Sequence, residues 1–159
     1  MFMEIKSVCV VGGGRMGRQI GLCAAINGID VKVYDLMPEV LADVQKWEDE
    51  YLAGRIAKGR MTEEQVAATR ARFTLEADLE KAAGDVDCVI ECVIEVQDVK
   101  ADLIRKLDGI IRPDTIVATN SRAEPPPEIR NNTVSSLVRL LTKSIAACVP
   151  KKELLSGTG

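Results

Sequence analysis

Ile5-Lys6-Ser7-Val8-Cys9-Val10-Val11-Gly12-Gly13-Gly14-Arg15-Met16-Gly17 is the stretch that decides the fold. Its first half, Ile5 to Val11, is a short apolar run rich in β-branched residues, the pattern of a strand buried on both faces. Gly12, Gly14 and Gly17 then satisfy G-x-G-x-x-G. Glycine clusters are common, so the spacing gains meaning from its surroundings. From Met16 to Asn27 the apolar residues Met16, Ile20, Cys23, Ala24 and Ile26 recur at helical spacing, and Asn27-Gly28 ends the helix. Val31 to Tyr34 reads as a second strand and runs into Asp35, about 20 residues past the glycines. Strand, glycine turn, helix, strand and acid together form the dinucleotide-binding pattern.

Each position in that pattern has a physical task. Gly12 allows the tight turn off the strand, Gly14 lets a pyrophosphate approach the backbone, and Gly17 lets the helix pack closely. Gly13, Arg15 and Met16 complete the cofactor-binding loop. The helix N-terminus offers free N–H groups and a partial positive charge to phosphates. Asp35 can accept hydrogen bonds from both ribose hydroxyls and would repel a 2′-phosphate, which favours NAD over NADP. The fingerprint is shared with other nucleotides such as FAD. The alternative is a structural glycine turn with a helix-capping aspartate. Arg15 and Arg18 read either as cations near the pyrophosphate or as solvated arginines.

The pattern continues outward. Pro38 fits the first turn of a long helix over about 39–58, which Gly59 breaks. Thr62 and Gln65 have capping-box spacing and start a second helix to about Arg70. A strand is expected over Arg72 to Leu75, a helix over Ala77 to Ala83, and a strand over Val86 to Val93. A helix over Val96 to Ile110 and a strand over Thr115 to Thr119 complete the series. Alternating strands and helices imply an α/β, Rossmann-type, mostly parallel sheet with helices on both faces. A helical hairpin is inserted at about 38–71. This domain is placed at 1–121.

Residues 122–159 differ. They hold four of the six prolines, including Pro125, Pro126 and Pro127, and carry a net charge of +3 against −6 for the rest. Within 134–149, Val134, Leu137, Val138, Leu141, Ile145 and Cys148 could line one face of an amphipathic helix. It would pack on its own domain or mediate self-association. Its two basic residues are few for a membrane anchor.

Composition sets further limits. The 159 residues are 47% apolar, carry a formal charge of −3 and include no histidine. The acidity speaks against a nucleic-acid partner. Without imidazole there is no Ser-His-Asp triad, no Cys-His pair, no histidine metal ligand and no histidine general base within these residues. Five cysteines without a Cys-x-x-Cys pair read as reduced thiols, mostly buried, and no metal site is expected. No stretch approaches the ~20 apolar residues of a membrane span, and the start lacks a signal-peptide core. A cytoplasmic protein is expected.

Val-Val-Gly-Gly-Gly-Arg-Met-Gly-Arg-Gln-Ile, followed by Val-Lys-Val-Tyr-Asp, resembles the start of 3-hydroxyacyl-CoA dehydrogenases. Lys58-Gly59-Arg60-Met61-Thr62 resembles that family's hairpin insertion, which contacts CoA. Val89-Ile90-Glu91-Cys92-Val93-Ile94-Glu95 with Lys100 is similar to the family's strand-and-helix segment, and Asp114 to Asn120 resembles the strand leading into its active site. The resemblance implies oxidation of the 3-hydroxyl of an acyl-CoA, in fatty acid metabolism, with hydride passing to NAD. It implies that Glu95 faces the nicotinamide-ribose side, that Lys100 supplies a cation near it, and that Asn120 ends the strand at the ligand crevice. The family's substrate-contacting serine falls at Ser121 or, by ungapped counting, at Arg122.

The departures are equally informative. The family's catalytic histidine, in a His-Phe-Phe-Asn-Pro segment, has no counterpart here, so Glu128 and Glu153 have no imidazole to orient. The family's helical substrate and dimerisation domain is also missing. The unusual segment fits a shifted reading frame, a fusion or a genuine replacement. Three functions stay open. One is a catalytically incomplete NAD-binding domain of this family. The second is a non-catalytic dinucleotide-sensing or assembly module. The third is another enzyme class using Glu95 or Lys100.

Overall fold

The structure, a computed structural model, describes residues 4–120. Strands Ser7–Val11 (β1), Asp30–Tyr34 (β2), Phe73–Glu76 (β3), Cys88–Glu91 (β4) and Ile116–Thr119 (β5) alternate with helices. The helices are Arg15–Ile26 (α1), Pro38–Ala57 (α2), Glu63–Arg72 (α3), Leu79–Ala83 (α4) and Gln97–Asp108 (α5). The strands form one sheet in the order β3-β2-β1-β4-β5, and every pairing is parallel. The fold is therefore the expected Rossmann-type α/β architecture, with a wholly parallel sheet where a mostly parallel one was expected.

The continuous apolar run of β1 is explained by burial on both faces. Val8 and Val10 enter one core with Ile20, Leu22, Val44, Leu52, Val66 and Phe73. Cys9 and Val11 enter the other, with Ala82, Ala83, Val89, Leu103 and Leu107. Full burial of each such valine stabilises the fold by about 1.5–3 kcal/mol. Because Val44 and Leu52 of α2 and Val66 of α3 lie in the first core, the hairpin is part of the domain's packing. The capping box forms in both directions: Gln65 N–H donates to Thr62 Oγ1 at 3.2 Å, and Thr62 N–H donates to Gln65 Oε1 at 2.9 Å. Arg70 then ties α3 to Asp49 on α2 at 3.0 Å.

At the N-terminal edge of the sheet the polar groups close on one another. Asp87 Oδ2 accepts from Lys6 N–H at 2.8 Å, from Ser7 N–H at 3.1 Å and from the Ser7 hydroxyl at 3.2 Å. Its Oδ1 accepts from Arg112 at 2.9 Å, and the same guanidinium reaches Asp85 and Asp114. These donors, led by the Lys6 N–H, hold the Asp87 carboxyl down to a pKa of about 2. The strand expected over Val86 to Val93 accordingly begins one residue after this anchor, at Cys88.

Cys9 and Cys88 are buried free thiols, while Cys23 and Cys92 are half-buried. Burial pushes Cys9, Cys88 and Cys92 up to about 12. Among the described residues no group of three or more acidic, histidine or cysteine side chains is placed to hold a metal ion. No described helix is long and apolar enough to cross a membrane. Residues 122–159, including the expected 134–149 helix, lie outside the described residues.

Candidate functional site

In this sheet β1 lies between β2 and β4, so the strand order reverses beside it. Ligands of open parallel sheets bind outside the carboxyl ends of the strands at such a reversal. Four segments meet there: the glycine loop after β1, Asp35 after β2, residues 92–96 after β4 and Asn120 after β5.

The glycines divide by what surrounds them. Gly12 has φ +109°, and a Cβ there would stand 2.7 Å from the Cys92 carbonyl oxygen. A Cβ on Gly17 would stand 1.8 Å from the Gly12 carbonyl oxygen. Both sites are closed by the protein's own backbone. A Cβ on Gly14 would meet nothing within 4 Å, so this backbone faces open space at the start of α1. Gly13 has a task that the motif does not reveal: its N–H donates to Asp35 Oδ2 at 2.8 Å.

The N-terminus of α1, where Gly14 is the cap residue, has no cap from a described side chain and no acid in its own first turn. The first turns of the other helices contain Glu39, Glu63 and Glu64, Glu80, and Asp98 respectively. The positive end of the α1 dipole therefore lacks the acidic side chain found at the others. Arg15 and Met16 are exposed beside it. Arg18 is half-buried, with its guanidinium 5.0 Å from the Trp47 ring centre. It packs on α2 and is not the solvated arginine considered in the sequence.

Asp35 is half-buried at the end of β2. One oxygen accepts from Gly13 N–H and the other from Met37 N–H at 3.0 Å. A carboxylate has about four lone-pair sites, so two stay available. Asp35 therefore shapes the glycine loop and the entry to α2, and retains the capacity to bind hydroxyls.

On the far side of β1, Glu95 is exposed and Lys100 is buried. Lys100 Nζ lies 3.6 Å from Glu91 Oε2. Glu91 Oε1 accepts from Val93 N–H at 2.8 Å, and Oε2 accepts from the Thr119 hydroxyl at 2.5 Å. That first bond removes Val93 from the sheet ladder, which is why β4 stops short of the expected end. Sequence reasoning assigned Glu91 nothing. The available signal was an acid inside an apolar strand, since a buried charge requires a partner. Asn120 is exposed, and its N–H donates to the Glu91 carbonyl at 2.9 Å. Ser121 and Arg122 lie outside the described residues.

The crevice thus offers a helix N-terminus that no described side chain caps, beside the open backbone of Gly14, with an acid on one side and a buried cation on the other. This chemistry suits a diphosphate carrying a hydroxylated sugar at each end.

Comparison with known proteins agrees. The sequence profile of the 3-hydroxyacyl-CoA dehydrogenase NAD binding domain matches residues 7–139. A probable 3-hydroxybutyryl-CoA dehydrogenase of Bacillus subtilis is 37% identical over 127 residues, covering 80% of this chain and 44% of that protein. The mitochondrial hydroxyacyl-coenzyme A dehydrogenase of Rattus norvegicus is 33% identical over 135 residues, covering 81% of this chain and 43% of that protein. The crystal structure of an Escherichia coli 3-hydroxybutyryl-CoA dehydrogenase superposes with a TM-score of 0.73 at 30% identity. It covers 77% of this chain and 26% of that one. The chain spans less than half the length of these relatives. With a profile match over most of its length, the chain belongs to the 3-hydroxyacyl-CoA dehydrogenase family and carries that family's NAD-binding domain.

Proposed function

We propose that these 159 residues hold the NAD half of a 3-hydroxyacyl-CoA dehydrogenase site and that the proton-accepting half comes from residues outside them. The observation that carries the assignment is the contrast among the glycines. Gly12 and Gly17 are closed against backbone, whereas Gly14 opens on free space at an uncapped helix N-terminus. In this reading the backbone of Gly12 to Gly17, with Arg15 and Met16, cradles the diphosphate. Asp35 receives the adenosine ribose hydroxyls on its remaining lone pairs and repels a 2′-phosphate. Glu95, Lys100 and Asn120 face the second ribose and the nicotinamide, with Ser121 a candidate substrate contact. Bound NAD would supply the hydride acceptor.

The sequence contains no imidazole to take the hydroxyl proton. A general base typically contributes 10²–10⁴-fold in rate, and lost substrate positioning costs more. Acyl-CoA binding by these residues alone is therefore weak and restricted to the hairpin tip, where Lys58 and Arg60 are exposed. The apolar positions of 134–149 support self-association, and reduced buried thiols support a cytoplasmic setting. The test is an assay of the chain with NADH and acetoacetyl-CoA, followed by the loss of absorbance at 340 nm. The expected result is NADH binding without turnover. Turnover by this chain alone would contradict the proposal.

A further inference from the structure

Glu91 and Lys100 form a buried ion pair at the mouth of the crevice, with side chains 5% and 8% exposed. Such a pair is weak evidence for stability, because desolvation offsets much of the attraction. Its geometry favours a different role. The 3.6 Å separation is an ionic contact but is too long for a hydrogen bond. A lysine ammonium has three donors, so donor capacity is left for a ligand. Glu91 itself is held firmly. Its carboxylate accepts from Val93 N–H in the 92–96 connection and from the Thr119 hydroxyl on the neighbouring strand. One carboxylate thus joins β4, β5, the connection after β4 and the cation on α5.

We infer that Glu91 is a positioning residue, holding the Lys100 ammonium and the 92–96 connection in place for the nicotinamide half of the dinucleotide. The inference rests on the proposed placement of Lys100 beside that half. Asp35 follows β2 and Glu91 ends β4, so the two acids stand on opposite sides of β1, where the two halves of a dinucleotide divide. Lysine is a point charge on a flexible four-carbon stem. Without the fixed carboxylate, that stem loses the 3.6 Å ionic contact that anchors it at the crevice.

The experiment compares NADH with ADP, which keeps the adenosine and diphosphate but lacks the second ribose and nicotinamide. Calorimetric affinities are measured for the full chain and for Glu91→Gln, Lys100→Ala, Thr119→Val and Thr119→Ser, with a melting curve for each. Glu91→Gln and Lys100→Ala should each weaken NADH by about tenfold, the scale of one charge-assisted contact, and leave ADP within about twofold. Thr119→Val should weaken NADH by about threefold, and Thr119→Ser should restore it. If Lys100→Ala leaves NADH unchanged relative to ADP, the placement of Lys100 is wrong and the inference falls with it. If Lys100→Ala separates the two ligands but folded Glu91→Gln does not, the inference alone is overturned. Equal loss of both ligands in Glu91→Gln also overturns it, since only general structure would then be at stake. Should Glu91→Gln fail to fold, the threonine pair decides: a selective loss rescued by serine supports the inference, and its absence overturns it.

Discussion

The two ends of one parallel sheet are built differently. At the N-terminal edge Asp87 accepts from Lys6, Ser7 and Arg112, and Arg112 also reaches Asp85 and Asp114. At the C-terminal edge the α1 N-terminus is uncapped, Gly14 faces open space, and Met16, Leu36, Met37, Ile94 and Val96 are exposed. One edge satisfies its own polar groups. The other keeps backbone donors and apolar surface uncommitted, beside an acid with lone pairs to spare. The difference separates stability from binding within a single sheet, and substitutions at each end should show it.

The largest effect belongs to the point where the two functions meet. Gly17→Ala places a Cβ against the Gly12 carbonyl, so the loop or the helix must shift. We expect a stability loss of about 3 kcal/mol together with loss of NADH binding, measured by denaturant unfolding and calorimetry. An unchanged unfolding midpoint would break the packing argument.

Asp87→Asn comes next and should act on stability alone. Removing a charged acceptor from its donors costs about 2 kcal/mol at neutral pH, with NADH affinity unchanged. The sign of the pH dependence follows from the lowered pKa. The Asp87 carboxyl sits at about 2 when folded, against 3.8 ordinarily. Its contribution is present above pH 4 and is lost as pH falls through 2. Acid unfolding should therefore lose one steep component in the Asn variant. If NADH affinity fell with stability, the separation of the two edges would be wrong.

Asp35→Ala is the smallest of the three and should show mainly in binding, with a stability cost of about 1 kcal/mol from the released Gly13 and Met37 N–H donors. It should weaken NADH by about tenfold and narrow the preference over NADPH. Equal affinities of the unaltered chain for NADH and NADPH would remove the assigned role of Asp35.

How much of this was legible in the sequence depended on range. The two-faced burial of β1 and the Thr62–Gln65 capping box rest on residues close together, and both appear as expected. The fingerprint glycines and Asp35 were legible because their spacing is fixed by one strand-helix-strand unit. Contacts between distant segments were not. Arg112 meets Asp85 and Asp87 across 27 and 25 residues, and Glu91 meets Thr119 across 28. Nothing in the local pattern signals these pairings, and the Asp87 anchor explains why β4 starts later than its apolar run. Arg18 meets Trp47 for the same reason, across 29 residues.

The central claim is that the C-terminal edge is kept open for a dinucleotide, and Gly14 tests it most directly. Its φ of −64° is accessible to alanine, and a Cβ there meets nothing within 4 Å. NADH should be titrated calorimetrically into the unaltered chain and into Gly14→Ala, with melting curves for both. The account expects equal melting temperatures, saturable binding by the unaltered chain and an affinity at least about tenfold weaker in the variant. Equal NADH affinity in the two chains, or no binding by the unaltered chain at millimolar NADH, would contradict it.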